Sequence, residues 1–503
     1  MHYILAADVG TSSVKVVLFD TEGNTIGLAK RSYGISRPAP GQAEQDPEEY
    51  VHAAFTCLRE LMDNYPETRA GLLGFAADGQ TSTEIYLDKE GNVLRPAIIW
   101  QDMRAGEQAK RLSAAFPKER RLNVFGFNAP MGAGSTPARL MWLRDNQPTL
   151  AERLCAVMQP KDFVNFRLTG VRRSDFWSAK SLADIRTCSV SEELMHEVGF
   201  PVSVISPLGR PWDEVGRVSA EAAAATGLPE GLPVICGFSD SIGTMMGSGA
   251  FSGIGIGFNS TGTSEIVGAT VDSDYPAGKL LAMPRAVMGV AAVQYGTTQS
   301  GGSALLWLNQ QITHAADYAA AVAAASMTAP GADGLVFLPY LNGERAPLWD
   351  ASATGAFLGL SAAHNSGHMT RAVMEGVAMS LRHCFDELRI NTGVTPRQVN
   401  VIGGASRVSL WNQIRADVTG IPYVTLQSEE SGALGVAMLV GLAAGVWRDI
   451  PEASAKLIRE TERFEPNAAL APMYDELYDR YRFAYEAQLM YRARQAEKAA
   501  AKA

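Results

Sequence analysis

Short apolar runs, each closed by a cluster of Gly, Ser, Thr or Asp, open the chain and return past its midpoint. Residues 4–7 and 14–19 are apolar and rich in strand formers. Between them stands Asp8-Val9-Gly10-Thr11-Ser12-Ser13, so the pattern predicts strand, tight turn, strand. A second turn over 21–24 and a third strand over 25–29 extend this to a meander. From 47 to 64 the period changes: Tyr50, Ala54, Leu58, Leu61 and Met62 fall at helical spacing. Two further strands, 72–77 and 97–100, each run into a polar cluster, 78–83 and 101–104. Ser135-Thr136-Pro137 joins a hydroxyl cap to a proline near the first helical position and predicts a helix through 146. Residues 232–238 read as a strand that turns through Ser239-Asp240-Ser241 into a short helix over 242–246.

The opening layout recurs over 254–267, where an apolar run meets Ser260-Thr261-Gly262-Thr263-Ser264 and a second β-rich run. Two like openings imply an internal duplication, hence two similar domains with a cleft between them. Aligning Gly262 with Gly10 sets Ser260 against Asp8, so the carboxylate occurs in the first copy alone. Glycines at 247, 249, 253, 255 and 257 read as a joint between the copies. The chain then divides into 1–247, 248–450 and a charged helical extension, 451–503, whose Ala/Lys end is expected to fray. Within the second domain the pattern predicts a helix beginning near 299, helices over 369–388 and 408–418, and a strand at 399–402. A Pro/Gly-punctuated loop spans 337–347, and residues 433–447 read as a buried helix of small side chains.

Composition narrows the class. At 503 residues, 47% hydrophobic and 19% charged, the chain is globular and larger than one core usually supports. A net charge of -9 argues against a nucleic-acid or anionic-membrane partner. The five cysteines have no C-x-x-C spacing, which suggests neither a disulfide framework nor a thiolate metal site and fits a reducing cytoplasm. Residues 1–10 enter a strand directly and are not expected to be a secretory signal. The longest apolar stretch, 433–447, is too short to span a bilayer. The P-loop pattern, the G-x-S-x-G elbow and H-E-x-x-H are absent. His364 and His368 have a helical metal spacing but straddle Asn365-Ser366-Gly367, a helix-start signature.

The first turn carries the candidate chemistry. Gly10 permits positive φ and close backbone approach, leaving amides free to face an anion, and Thr11 and Ser12 add hydroxyls. Asp8 and Lys15 contribute one charge of each sign. A phosphate chain with a divalent cation needs that set: amides and an ammonium for its oxygens, a carboxylate for the metal's water shell. An ordinary Gly/Ser-rich hairpin fits the same residues. Gln80 and Thr81 at one strand end, and Asp102 and Arg104 at another, offer the donors and acceptors a polyhydroxylated ligand needs; a solvated turn and an exposed ion pair are the alternatives. Asp240 stands at a strand-to-helix turn, where amides stabilise a carboxylate, or it simply caps the helix. Gly403 and Gly404, between strand and helix, let a planar ring lie against backbone as an adenine or ribose contact, unless they form a plain turn.

Taken in order, seven motifs resemble the FGGY carbohydrate kinases over roughly 3–450. They are Asp8-Val-Gly-Thr-Ser-Ser-Val-Lys15, Ile99-Trp-Gln-Asp-Met-Arg104, residues 137–146, Gly237-Phe-Ser-Asp240, Ser260-Thr-Gly-Thr263, residues 338–347 and Ile402-Gly-Gly-Ala-Ser-Arg407. The resemblance implies an α/β fold of two ribonuclease-H-like domains of the actin-like ATPase superfamily, with ATP and Mg²⁺ in the interdomain cleft. It implies Asp240 as general base, Asp8 as the metal-side carboxylate acting through water, Thr263 as a phosphate contact and Gly403, Gly404 and Ala405 as the adenosine motif. Gly10, Thr11, Ser12, Lys15 and Gly262 join the nucleotide set, as does Asn412; Gln80, Thr81, Asp102, Arg104 and Asp240 form the sugar set. The Pro-Tyr-Leu-x-Gly-Glu-Arg-x-Pro loop looks closest to the xylulose-kinase and gluconate-kinase branches. Three departures bear on substrate. Gly79-Gln80-Thr81-Ser82-Thr83 lacks the His of the xylulose-kinase Gly-Gln-Met-His-Gly; Thr81 and Ser82 replace the Arg-Glu pair of glycerol kinases; Arg139 stands where the family usually has Lys.

The expected activity is ATP-dependent phosphorylation of a hydroxyl of a small sugar or polyol in the cytoplasm. A ketopentose such as xylulose comes first, and a sugar acid such as gluconate is the alternative. Neither nucleic acid nor membrane is expected as a partner, and the association to test is a homodimer. A different class, an actin- or chaperone-like nucleotide switch, would need no polar clusters at 78–83 and 101–104 and would hydrolyse ATP independently of sugar.

Overall fold

An unbroken apolar run becomes an interior strand because both its faces are covered. Tyr3–Val9 is such a strand: Ile4, Leu5, Ala6, Ala7 and Val9 are fully buried. This computed structural model describes residues 1–500 other than 127, 128, 130, 180, 185, 284–291 and 429. Residues 501–503, the end of the tail expected to fray, lie outside the described residues. The chain forms two units, one of residues 1–247 and 430–457, the other of 248–429 and 458–503.

In the first unit a six-stranded sheet runs, in spatial order, Glu214–Arg217, Pro233–Ile235, Leu72–Gly79, Tyr3–Val9, Ser13–Asp20 and Thr25–Ser32. The last three are the antiparallel meander, and Asp8 pairs with Lys15 across its first hairpin. Leu72–Gly79 lies parallel to Tyr3–Val9 with Asp78 beside Asp8, and Pro233–Ile235 lies parallel to Leu72–Gly79. The strand from Leu72 runs two residues beyond its apolar stretch, so Asp78 and Gly79 belong to the sheet.

Helix Pro47–Asn64 starts where expected: the Asp46 side chain accepts from the Glu48 amide, Pro47 occupies the first turn and Glu48 and Glu49 complement the helix dipole. Its buried face, including Tyr50, Ala54, Leu58 and Leu61, joins the core beneath the meander. Burying each leucine contributes roughly 2 kcal/mol.

The segment 430–457, expected to divide between the second domain (to 450) and the C-terminal extension, packs in the first unit. Its helix Ser431–Ala443 is apolar on nearly every side and lies against helix Asp240–Gly247 backbone to backbone. A Cβ on Gly247 would come within 1.7 Å of the Ser431 carbonyl oxygen, and one on Gly435 within 2.1 Å of the Gly243 carbonyl oxygen. Only glycine permits that approach.

The second unit repeats the plan, as two ribonuclease-H-like halves should. Its seven-stranded sheet runs Leu281–Met283, Ala292–Thr297, Glu265–Val271, Ile256–Thr261, Gln398–Gly403, Tyr423–Leu426 and Glu460–Phe464. Ile256–Thr261 is antiparallel to Glu265–Val271 and parallel to Gln398–Gly403, matching Tyr3–Val9 between its two neighbours. Helix Ser366–Thr392 begins on a capping box of Asn365 and His368. The His368 ring thus serves the helix start, with Nε2 3.0 Å from Asp333 Oδ2. The C-terminal helix Ala471–Ala500 buries Tyr474, Leu477, Tyr478 and Tyr481 in the core of this unit.

Candidate active site

Three parallel strands of the first unit end in, or lead to, a carboxylate. Asp8 and Asp78 stand side by side at the ends of their strands. The third strand, Pro233–Ile235, continues through Gly237, where a Cβ would come within 1.8 Å of the Ala77 carbonyl oxygen, so the chain passes directly against its neighbour. A bridge between Gly79 and Ser239 follows, and Asp240 opens the next helix. Ligands of α/β sheets bind at such carboxyl ends of strands.

The three acids differ in surroundings. Asp240 is half-buried, and its Oδ1 accepts from the Ser241 amide at 2.7 Å. Asp8 is also half-buried; burial raises its carboxyl above the ordinary range, against the pull of Lys15. Asp78 is fully buried; no amide, hydroxyl or cationic side chain among the described residues donates to its oxygens, and its carboxyl faces that of Asp8, with which it shares a hydrogen bond. Burial raises it well above the usual carboxylate range, and the charges of Asp8 and Asp240 push it further. Lys15, expected to face phosphate, is ion-paired with Glu430 at the start of helix Ser431–Ala443.

Around these acids the first turn is tied down. The Gly10 amide donates to the Ser13 carbonyl at 3.0 Å, and Trp100 Nε1 donates to Thr11 Oγ1 at 2.9 Å, leaving the threonine proton free to donate. The Trp100 ring remains 49% exposed. Gly10 and Gly262 do not adopt positive φ, contrary to expectation for Gly10, and a Cβ on either would meet nothing closer than 3.4 Å. Their use is an open backbone face. Thr11, Thr81 and Lys15 are partly exposed and Ser12 is exposed.

Four of the expected site residues are hydrogen-bonded within the protein. Gln80 is buried, with Nε2 donating to Gln45 Oε1 at 2.9 Å and Oε1 accepting from Thr83 Oγ1 at 3.3 Å. Asp102 is fully buried between the Ala43 amide, at 2.6 Å, and the Arg104 guanidinium, which also reaches Glu44 at 2.7 Å. Asn412 is fully buried; Nδ2 donates to the Ser406 carbonyl at 2.7 Å and Oδ1 accepts from Arg415 at 3.0 Å. The polar atoms of Gln80, Asp102, Arg104 and Asn412 named here thus have partners within the protein.

Arg139 shows the same economy. Fully buried, its guanidinium reaches Glu84 Oε2 at 2.6 Å, the Ile99 carbonyl at 2.6 Å and the Ile98 carbonyl at 3.2 Å, and it holds the Ser82 carbonyl. Ser82 has φ 54°, a left-handed conformation unusual for a side chain other than glycine. Arg139 thus fixes the loop that carries Thr81.

In the second unit the turn at 262–264 and the Gly403 turn are neighbours, since Thr261 pairs with Gly403. Thr261 Oγ1 donates to the Ile402 carbonyl at 2.7 Å and accepts from the Ala405 amide at 3.0 Å. Gly403 has φ 90°, and a Cβ there would come within 2.1 Å of the Thr261 carbonyl oxygen, so glycine is required. Gly262, Thr263, Gly403 and Gly404 are exposed and Ala405 is partly so. The Thr263 carbonyl accepts from the Gly301 amide at 2.9 Å, which anchors this turn to the start of helix Gly302–Leu308.

The donor set of the first unit suits a hard divalent cation held partly through water. Asp8, Asp78, Asp240 and Glu430 face one ammonium, Lys15, yet no group of three or more His, Cys, Asp or Glu among the described residues forms a cage by itself. Mg²⁺ keeps several waters and needs only one or two carboxylates.

Family models and relatives agree with this architecture. The N-terminal domain of the FGGY family of carbohydrate kinases matches residues 3–247, and the C-terminal domain of that family matches 257–444. A xylulose kinase of Lactococcus lactis is 30% identical over 492 residues, covering 97% of each chain. The crystal structure of a xylulose kinase from Rhodospirillum rubrum superposes with a TM-score of 0.89 at 29% identity, covering 97% of this chain and 99% of that one. A gluconate kinase structure from Lactobacillus acidophilus gives a TM-score of 0.88 at 25% identity, covering 97% and 98%.

Proposed function

The chain belongs to the FGGY family of carbohydrate kinases, and from that premise we propose that it transfers the γ-phosphoryl group of ATP to a hydroxyl of a ketopentose of the xylulose type. The observation that carries this reading is the half-buried Asp240, at a helix start beside the ends of two strands that finish in acids. As the sugar oxygen bonds to phosphorus, the bond from phosphorus to the β-bridging oxygen breaks and ADP leaves. The hydroxyl proton passes to Asp240.

The open turn at Gly10, where no Cβ obstructs approach, the hydroxyls of Thr11 and Ser12, and Lys15 once freed from Glu430 are suited to phosphate oxygens. Thr81, on the loop fixed by Arg139, is suited to a sugar hydroxyl. In the second unit the exposed Gly262-Thr263 and Gly403-Gly404-Ala405 backbones suit a nucleotide. Asp8 would hold Mg²⁺ through water, and the cation when bound would neutralise charge on the phosphate oxygens.

The ketopentose is favoured by relatives named xylulose kinases. A sugar acid is the second reading, favoured by the likeness to a gluconate kinase structure. Asp240→Asn tests the role of the base. It should lower sugar phosphorylation by roughly a hundredfold or more while ATP affinity, read by calorimetry, stays close to that of the parent. Sugar phosphorylation at the parental rate would sink the assignment.

A further inference from the structure

Asp78 is the anomaly of the first unit. It lies at the end of an interior strand, fully buried, in register with Asp8. No amide, hydroxyl or cationic side chain among the described residues donates to its oxygens, and its one hydrogen-bonding neighbour is the Asp8 carboxyl, so two acids face each other without a cation between them. The nearest helices leave room for it by being glycine where they approach. A Cβ on Gly243 would come within 2.1 Å of Asp78 Oδ2, and one on Gly432 within 3.3 Å. The Lys15 ammonium is already taken by Glu430.

We propose that Asp78 is a second cation-facing carboxylate, acting with Asp8 on a divalent, oxygen-preferring ion and its waters. The proposal rests on the phosphotransfer reading above, and adds the first residue of the polar cluster 78–83 to the cation side of the site. Parallel register puts both side chains on one face of the sheet at adjacent positions, so a cation watered against Asp8 lies within reach of Asp78 as well. The two facing carboxyls then share a positive partner.

Mn²⁺ is the probe, with binding to the full-length protein followed by electron paramagnetic resonance in the presence and absence of ATP. Asp78→Asn should weaken Mn²⁺ binding roughly tenfold to a hundredfold while leaving the affinity for metal-free ATP unchanged. Asp78→Asn should also shrink the rise in melting temperature that Mn²⁺ produces. Asp78→Ser, smaller and neutral, should weaken Mn²⁺ binding equally. If the parent binds Mn²⁺ and both variants bind it as tightly, the inference is overturned and the kinase reading stands. If the parent fails to bind Mn²⁺ with or without ATP, both fall.

Discussion

Glu344 illustrates how a half-finished hydrogen-bond set creates a pH window. Its Oε1 accepts from the Gln299 and Arg345 amides at 2.5 and 2.7 Å, while Oε2 is buried without a partner among the described residues. Burial raises the carboxyl from 4.5 to about 7, against the pull of those amides. The folded value lies above the unfolded one, so the folded state holds the proton more tightly. The resulting stability is fully present below pH 4.5 and is lost as pH rises through about 7. It amounts to on the order of 3 kcal/mol. Urea unfolding near pH 5 and near pH 8 should show the parent losing more stability over that interval than Glu344→Gln, and equal losses would contradict this account. The same contrast explains which site residues were legible. Gln80, Asp102, Arg104 and Asn412 have the chemistry of ligand contacts and stand at strand ends or in the following helix, and the first three are also engaged by partners distant in sequence, Gln45, Ala43 and Glu44. Asp78 has the opposite history: its value lies in facing another acid without a cation between them, which no residue type announces. The available signal was an acid beyond an apolar run, aligned with another strand ending in Asp8.

Elements were read best where burial is uniform. The meander, helix Pro47–Asn64 and strand Gln398–Gly403 follow from unbroken runs or clean helical spacing. Strand Glu460–Phe464 escaped detection because four of its five residues are exposed at a sheet edge, which leaves almost no apolar pattern. The strand expected over 232–238 shortens to Pro233–Ile235, because the chain must turn at Gly237 to bring Asp240 round. Helix Thr136–Asn146 has a function its sequence hides: through Arg139 it clamps the ends of two other segments. Replacing that guanidinium with an apolar side chain strands Glu84, which is also fully buried. Arg139→Met should therefore cost about 3–5 kcal/mol, read as a fall in denaturant midpoint, with a raised KM for sugar in whatever protein stays folded. A stability change below about 1 kcal/mol would mean the pair is not the clamp described.

At the scale of the molecule, the duplicated plan was visible in two similar openings, while the return of residues 430–457 to the first unit was not. That return depends on glycines of two helices meeting, a long-range fact without local periodicity. No helix among the described residues is long and apolar enough to cross a membrane. The central claim is that this carbohydrate kinase spends ATP on a sugar hydroxyl and that the sugar is a ketopentose. The most direct measurement is ADP release in a coupled assay across pentuloses, polyols and aldonates, with the phosphorylated product identified by mass. The account predicts release that depends on added sugar, with the highest kcat/KM for xylulose and one phosphoryl group gained by the sugar. ADP release indifferent to every sugar, with no phosphorylated product, would contradict it and favour a nucleotide switch.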